Sequence, residues 1–170
     1  FLYSAKQTAD GGYILGGYSL SDSSGDKSHP SFGIFDYWVI KTDSLGNKIW
    51  DNVYGGSDVE YLYTAVQTTD GGFLLGGYSY SGISGNKTDT AWGLKDYWIV
   101  KTDSAGNILW DKTFGGTNDD WLTELILTND NGFIVGGFSD SDSSGTKTQN
   151  GWGFYDYWVV KADSAGNKQW

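Results

Sequence analysis

The side chains best suited to chemistry sit in three similarly worded segments, SLSDSSGDKSHPSFGIF (19–35), SYSGISGNKTDTAWGLK (79–95) and SDSDSSGTKTQNGWGFY (139–155). Each holds a Ser-Gly-x-Lys unit ending at Lys27, Lys87 or Lys147, then an aromatic ahead of a glycine: Phe32, Trp92 or Trp152. An aromatic ring beside Asp, Asn and Lys is what a sugar requires. The ring packs on the apolar face of the pyranose, and the polar groups bond its hydroxyls. Asp119 and Asp120, next to Trp121, are the densest carboxylate pair and join these residues as candidate ligand contacts. The competing reading has the loop aromatics fold back to cover hydrophobic gaps between neighbouring structural units.

Carboxylates offer a second chemistry. Asp22 with Asp26, Asp58 with Glu60, and Asp140 with Asp142 are oxygen donors of the kind Ca²⁺ takes, so calcium is the one cofactor the sequence admits. None of them follows EF-hand spacing. Asp43-Ser44-Leu45-Gly46-Asn47 reads instead as a β-turn closed by its own Asp side chain. Catalysis has less to work with. The single His29 stands beside Pro30, there is no Cys, and no Ser has a partner at a recognisable spacing. Paired acids formally admit a two-carboxylate glycosidase, but here the acids mostly follow the repeat rather than break it, and no enzyme is expected. The Gly-Gly pairs and Gly151-Trp152-Gly153 lack a following helix to hold a phosphate.

Composition narrows the partners. Eleven Lys, no Arg and a net charge of -10 argue against nucleic acid and against anionic membrane surfaces. No apolar run approaches the ~18 residues of a membrane span. An aromatic share of 17 %, 26 Gly and one Pro, with Glu only at 60 and 124, describe an all-β chain.

The elements that must position these loops repeat every 60 residues. DYWVIKTDSLGNKIW (36–50) returns as DYWIVKTDSAGNILW (96–110) and DYWVVKADSAGNKQW (156–170), and QTADGGYILGGYS (7–19) as QTTDGGFLLGGYS and LTNDNGFIVGGFS. The units are 1–50, which lacks the counterpart of 51–60, then 51–110 and 111–170. In the second unit strand A is expected at 62–68, B at 73–80, C at 96–103 and D at 108–114, with Asp/Gly/Asn turns after A and C. Each unit is thus a four-stranded antiparallel meander whose long B–C loop and D–A linker share one end. Strand C is apolar on both faces, Trp98 and Val100 on one and Tyr97 and Ile99 on the other, so each sheet needs a neighbour on both sides. β-Propeller blades meet that need, with Gly pairs such as Gly76-Gly77 allowing close approach.

The DYWVVK…DSxGN…W and TxDGGYILGGxS wording resembles the tandem propeller-like repeats of large secreted Bacteroidota surface proteins, many of them exported by the type IX system. The resemblance spans the chain and implies a location outside the cell or on its surface, with no activity to carry over. The opening Phe1-Leu2-Tyr3 reads as a cut inside a longer protein. Three blades are fewer than propellers usually close with; either the intact ring has more, or two copies pair to make six. Two functions follow as expectations: a lectin-like module holding carbohydrate or another surface polymer on the long-loop face, or a structural spacer that assembles with neighbouring blades or copies of itself.

Overall fold

The computed structural model describes residues 1–170 and contains strands but no helix. β1 (Leu2–Gln7), β2 (Tyr13–Ser19), β3 (Asp36–Thr42) and β4 (Lys48–Tyr54) form the first sheet. β5 (Glu60–Gln67), β6 (Phe73–Ser79), β7 (Asp96–Thr102) and β8 (Ile108–Phe114) form the second, and β9 (Asp120–Leu127), β10 (Phe133–Ser139) and β11 (Asp156–Ala162) the third. Each sheet is an antiparallel meander in chain order, and none closes on itself. The third departs from the expected four strands. Its last segment makes only an isolated bridge between Ala162 and Lys168, with Gln169 N donating to Lys161 O at 2.8 Å.

Local chemistry sets the hairpins. In the first A–B turn Gly11, at φ 82°, donates to Thr8 O at 2.9 Å, a left-handed position that Asn131 fills in the third copy at φ 63°. Asp43 Oδ1 accepts from the amides of Leu45 and Asn47 at 2.9 and 2.8 Å, so this carboxylate closes its own turn, as do Asp103 and Asp163. Lys41, Lys101 and Lys161 reach from the C strands to Asp10, Asp70 and Asp130 of the A–B turns, each at 2.9 Å, fastening one hairpin to the next.

The core lies between sheets. Tyr37, Val39, Ile14 and Tyr54 of the first sheet meet Leu62, Ala65, Phe73, Leu75, Trp98 and Val100 of the second. The other face of the second sheet, through Leu74, Tyr97, Ile99 and Phe114, meets Leu122, Leu125, Phe133, Val135, Val160 and Ala162 of the third. All of β7 is buried, as a strand apolar on both faces demands. The sheets approach most closely at their first strands, where Ala65 N donates to Ser4 Oγ at 3.0 Å. At the fourth strands the gap is bridged by long side chains, Tyr54 OH reaching Gly106 O at 2.7 Å. The glycine pairs explain the close edge. A Cβ on Gly16 would stand 2.7 Å from Leu62 Cδ2, and one on Gly77 would stand 1.9 Å from Tyr61 O of its own sheet. Gly16 and Gly76 therefore admit the next sheet's leucine, and the second glycine of each pair admits the bulged first strand of its own sheet.

A Cβ on Gly76 would meet Thr64, Leu122 and Leu125 at 3.1–3.3 Å. Gly76→Val is expected to destabilise the protein by about 1–3 kcal/mol through overpacking, seen as a lower urea midpoint with an unchanged m-value.

Candidate functional site

The B–C loops and D–A linkers gather at one end of the sheets, where the sequence places the chemistry. The loops are not free arms. Asp111 Oδ2 accepts from Thr88 N, Asp89 N and Trp98 Nε1 at 2.9–3.0 Å, pinning the second loop to β8, and Asp51 holds Ser28 N and Trp38 Nε1 in the same way. Lys27, Lys87 and Lys147 are buried inside these loops. Lys87 Nζ donates to Asp89 O at 2.6 Å and Thr113 Oγ1 at 3.0 Å, Lys147 to Ser139 Oγ at 2.8 Å, and Lys27 to Ser31 Oγ at 3.1 Å and Ser21 O. Burial lowers the affinity of Lys27 and Lys87 for their protons. These amines are engaged by loop groups and, for Lys87, by Thr113 of β8, and are turned away from solvent.

Each linker is gripped by the loops on both sides. Ser57 N and Asp58 N donate to Ser84 Oγ and Ser81 Oγ at 2.9 Å, while Ile34 N, from the preceding loop, donates to Asp58 O at 2.8 Å. The same pattern joins Thr117 and Asn118 to Ser144 and Ser141. The loop aromatics take part in it. Phe32 lies against Gly85 and Trp92 against Gly145, where an added Cβ would come within 3.1 and 2.9 Å of the rings. Both remain about half exposed, whereas Trp152, with no following loop beside it, is 97 % exposed.

The acidic candidates disperse. Asp22, Asp26, Asp58 and Asp142 are exposed, and Asp140 Oδ1 accepts from Asp119 N at 2.7 Å. No group of three or more His, Asp or Glu side chains converges. Glu60 and Asp120 instead turn inward and are fully buried, each facing a buried partner from the preceding repeat, Asp36 and Asp96. Asp36 and Asp96 accept from the loop amides of Phe32 and Trp92 at 2.8 Å, and Glu60 and Asp120 from the linker amides of Gly56 and Gly116 at 2.7 Å. Burial raises the pKa of all four, Asp96 to about 6. The pairs hold loop to linker at each junction, against Gly55 and Gly115, where a side chain would collide with Asp36 and Asp96.

The exposed surface feature of this end comes mainly from the first two strands of each sheet, joined by the loop residue Tyr155. Aromatic rings run across the three sheets in contact: Tyr3 to Tyr63 at 4.9 Å between centroids, Tyr63 to Tyr78 at 5.7 Å, Tyr78 to Trp121 at 6.4 Å and Trp121 to Tyr155 at 5.3 Å. Tyr18 and Tyr61 flank this track at 4.4 Å from each other, and Phe138 lies 5.1 Å from Trp121. Tyr63, Tyr78, Trp121, Thr123 and Phe138 line an open pocket of about 270 Å³. Burial and adjoining phenols push Tyr18 and Tyr78 upward, so their hydroxyls stay protonated. Lys95 lies 3.9 Å above the Trp121 ring and pairs with Asp119 at 2.7 Å, which brings Asp119 to the edge of the track. Sequence reading concentrated on the loops and passed over these residues. The available signal was positional: aromatics recur at 1, 61 and 121, at 18, 78 and 138, and at 35 and 155, all at strand ends adjoining the loops.

No family profile matches the chain, and no curated protein matches it significantly.

The junction carboxylates carry a definite pH signature. Asp96 binds its proton more tightly folded than unfolded, so its contribution favours folding below about pH 4 and is lost as pH rises through about 6. Asp96→Asn keeps an acceptor for the amides of Trp92 and Gly93. The variant is expected to gain on the order of 2 kcal/mol over the wild type at pH 7.5, and the gain should vanish in melts run at pH 4.

Proposed function

We propose that the chain is a non-enzymatic extracellular recognition module built of propeller blades, and that it binds a neutral glycan or similar surface polymer along the aromatic track. The observation that carries this reading is the line of touching, partly exposed rings that crosses all three sheets beside an open pocket. Aromatic faces stack on the C–H faces of sugar rings, and neutral phenol hydroxyls serve as donor and acceptor at the rim. A net charge of -10 disfavours polyanionic polymers, and the cation at the track, Lys95, is already paired with Asp119. The rings stand on strand ends fixed by the inter-sheet core, so little ordering entropy opposes binding. The blade reading is supported by the packing of each sheet against the next, with close first strands and wider fourth strands.

A second reading, a spacer or assembly element, is favoured by the loops. Phe32 and Trp92 cover glycines of the following repeat and the loop lysines are internal, so much of the long-loop chemistry serves cohesion between repeats.

The test is an array of neutral polysaccharides probed with the wild type, a Tyr63→Ala, Phe138→Ala double variant and a Trp92→Ala, Trp152→Ala double variant, with and without EDTA. Loss of one stacking ring costs about 0.5–1.5 kcal/mol, so the track variant should bind at least several-fold more weakly with its melting curve still cooperative. Binding lost only in the loop variant would move the site to the loops, and sensitivity to EDTA would bring calcium into it. A blank array with folded wild-type protein would overturn glycan recognition for the polymers tested.

A further inference from the structure

The two outermost sheet faces are the two halves of an interface the molecule already makes twice. On the leading face of the first and second sheets, Tyr37 and Tyr97, Val39 and Ile99, and Ile14 and Leu74 are at most 3 % exposed. The same positions on the third sheet are Tyr157, 87 % exposed, Val159, 38 % exposed, and half-buried Ile134. On the trailing face of the second and third sheets, Leu62 and Leu122, and Phe73 and Phe133, are at most 1 % exposed. Their counterparts on the first sheet, Leu2 and Tyr13, are 63 % and 39 % exposed, and Leu15, Trp38 and Ile40 are half-buried.

The fit extends to single groups. Leu62 packs into the notch left by Gly16, and Leu122 into that of Gly76. The third notch, at Gly136, has no other side chain nearer than 3.8 Å to an added Cβ. Tyr37 and Tyr97 donate their hydroxyls to the carbonyls of Trp98 and Trp158, each at 3.0 Å, while the hydroxyl of Tyr157 has no such carbonyl beside it.

We propose that a second copy of this chain docks head to tail, its first sheet on the third sheet of its neighbour, with Leu2 in the Gly136 notch and Tyr157 bonded to the carbonyl of Trp38. The contact repeats, through the first three strands of each sheet, an interface present twice in each molecule; the part that Tyr54 and Phe114 of the fourth strands add to those two has no counterpart on the third sheet. It is heterologous: the surfaces that meet are different, and each copy brings one of each. Two copies joined at both ends make six sheets, and an open series makes a filament. In either case the aromatic track continues across the seam, because Phe1 and Tyr3 would follow Phe138 and Tyr155. The docking does not rest on what the track binds.

The test is sedimentation or light scattering over a wide concentration range on untagged protein. The wild type is expected to associate. Gly136→Val fills the empty notch at a position with room for the new side chain, so it should fold normally and associate at least ten-fold more weakly. Leu2→Asp should do the same from the opposite face. Mixing the two variants leaves one intact leading face and one intact trailing face, and should restore a 1:1 complex that neither forms alone. A wild type that stays monomeric at several hundred micromolar, association unaffected by both substitutions, or a mixture that does not pair would each overturn the proposal.

Discussion

A strand that is apolar on both faces imposes a demand that no single sheet meets. β7 carries Tyr97, Trp98, Ile99 and Val100, all fully buried, two facing each way. Covering it takes a sheet on either side, and the neighbours carry the same strand with the same demand. The stacked arrangement, the notches that admit leucines and the shared hydroxyl-to-carbonyl bonds all follow from this two-sided requirement. So does the character of the loop end. The B–C loops and linkers lie where successive sheets converge, and their polar groups are used to hold one repeat to the next.

That use accounts for the split between what was legible in the sequence and what was not. Strand periodicity, turn residues and the 60-residue repeat are local or strictly periodic, and the strands fall within about two residues of the expected bounds. The two-faced burial of strand C was legible for the same reason. The loop lysines were not. A Lys in a Ser-rich loop reads as available to a ligand, and only the fold shows partners such as Thr113 Oγ1, which accepts a hydrogen bond from Lys87. Glu60 reads as a calcium donor and Asp120 as a ligand contact, yet each is buried opposite an acid of the preceding repeat, Asp36 and Asp96, which lies far from it in the sequence. The aromatic track is not legible in the sequence because its members come from the first two strands of successive repeats and, at Tyr155, from a loop. Tyr63, Tyr78 and Trp121 are unremarkable as strand residues until the sheets bring their rings into line.

The junction acids show how stability and specificity diverge in this molecule. A buried carboxylate facing another is a costly way to hold a loop, and an apolar contact would be cheaper in free energy. Its benefit is geometric. Asp36 collects the amides of Phe32 and Gly33 while Glu60 collects that of Gly56, so the loop of one sheet and the linker into the next are fixed against each other in one place. The ring track adjoins these junctions along the chain: Tyr78 precedes Ser79, whose hydroxyl donates to Glu60 at 2.7 Å, and Trp121 follows Asp120.

Cohesion here passes only between adjacent sheets, so the molecule is a short linear series of coupled units. The middle sheet has a coupled neighbour on each side, and the outer ones have a single coupling each. Opening fluctuations therefore begin at the ends and travel inward, and they cost less at β11, whose outer edge is paired only through the lone Ala162–Lys168 bridge and the backbone bonds of Lys161, than at β7, which is enclosed throughout. Amide protons of the second sheet are set to be the slowest to exchange, those of the third sheet the fastest. Any partner that covers an outer sheet slows exchange on both sides of the seam by the same mechanism.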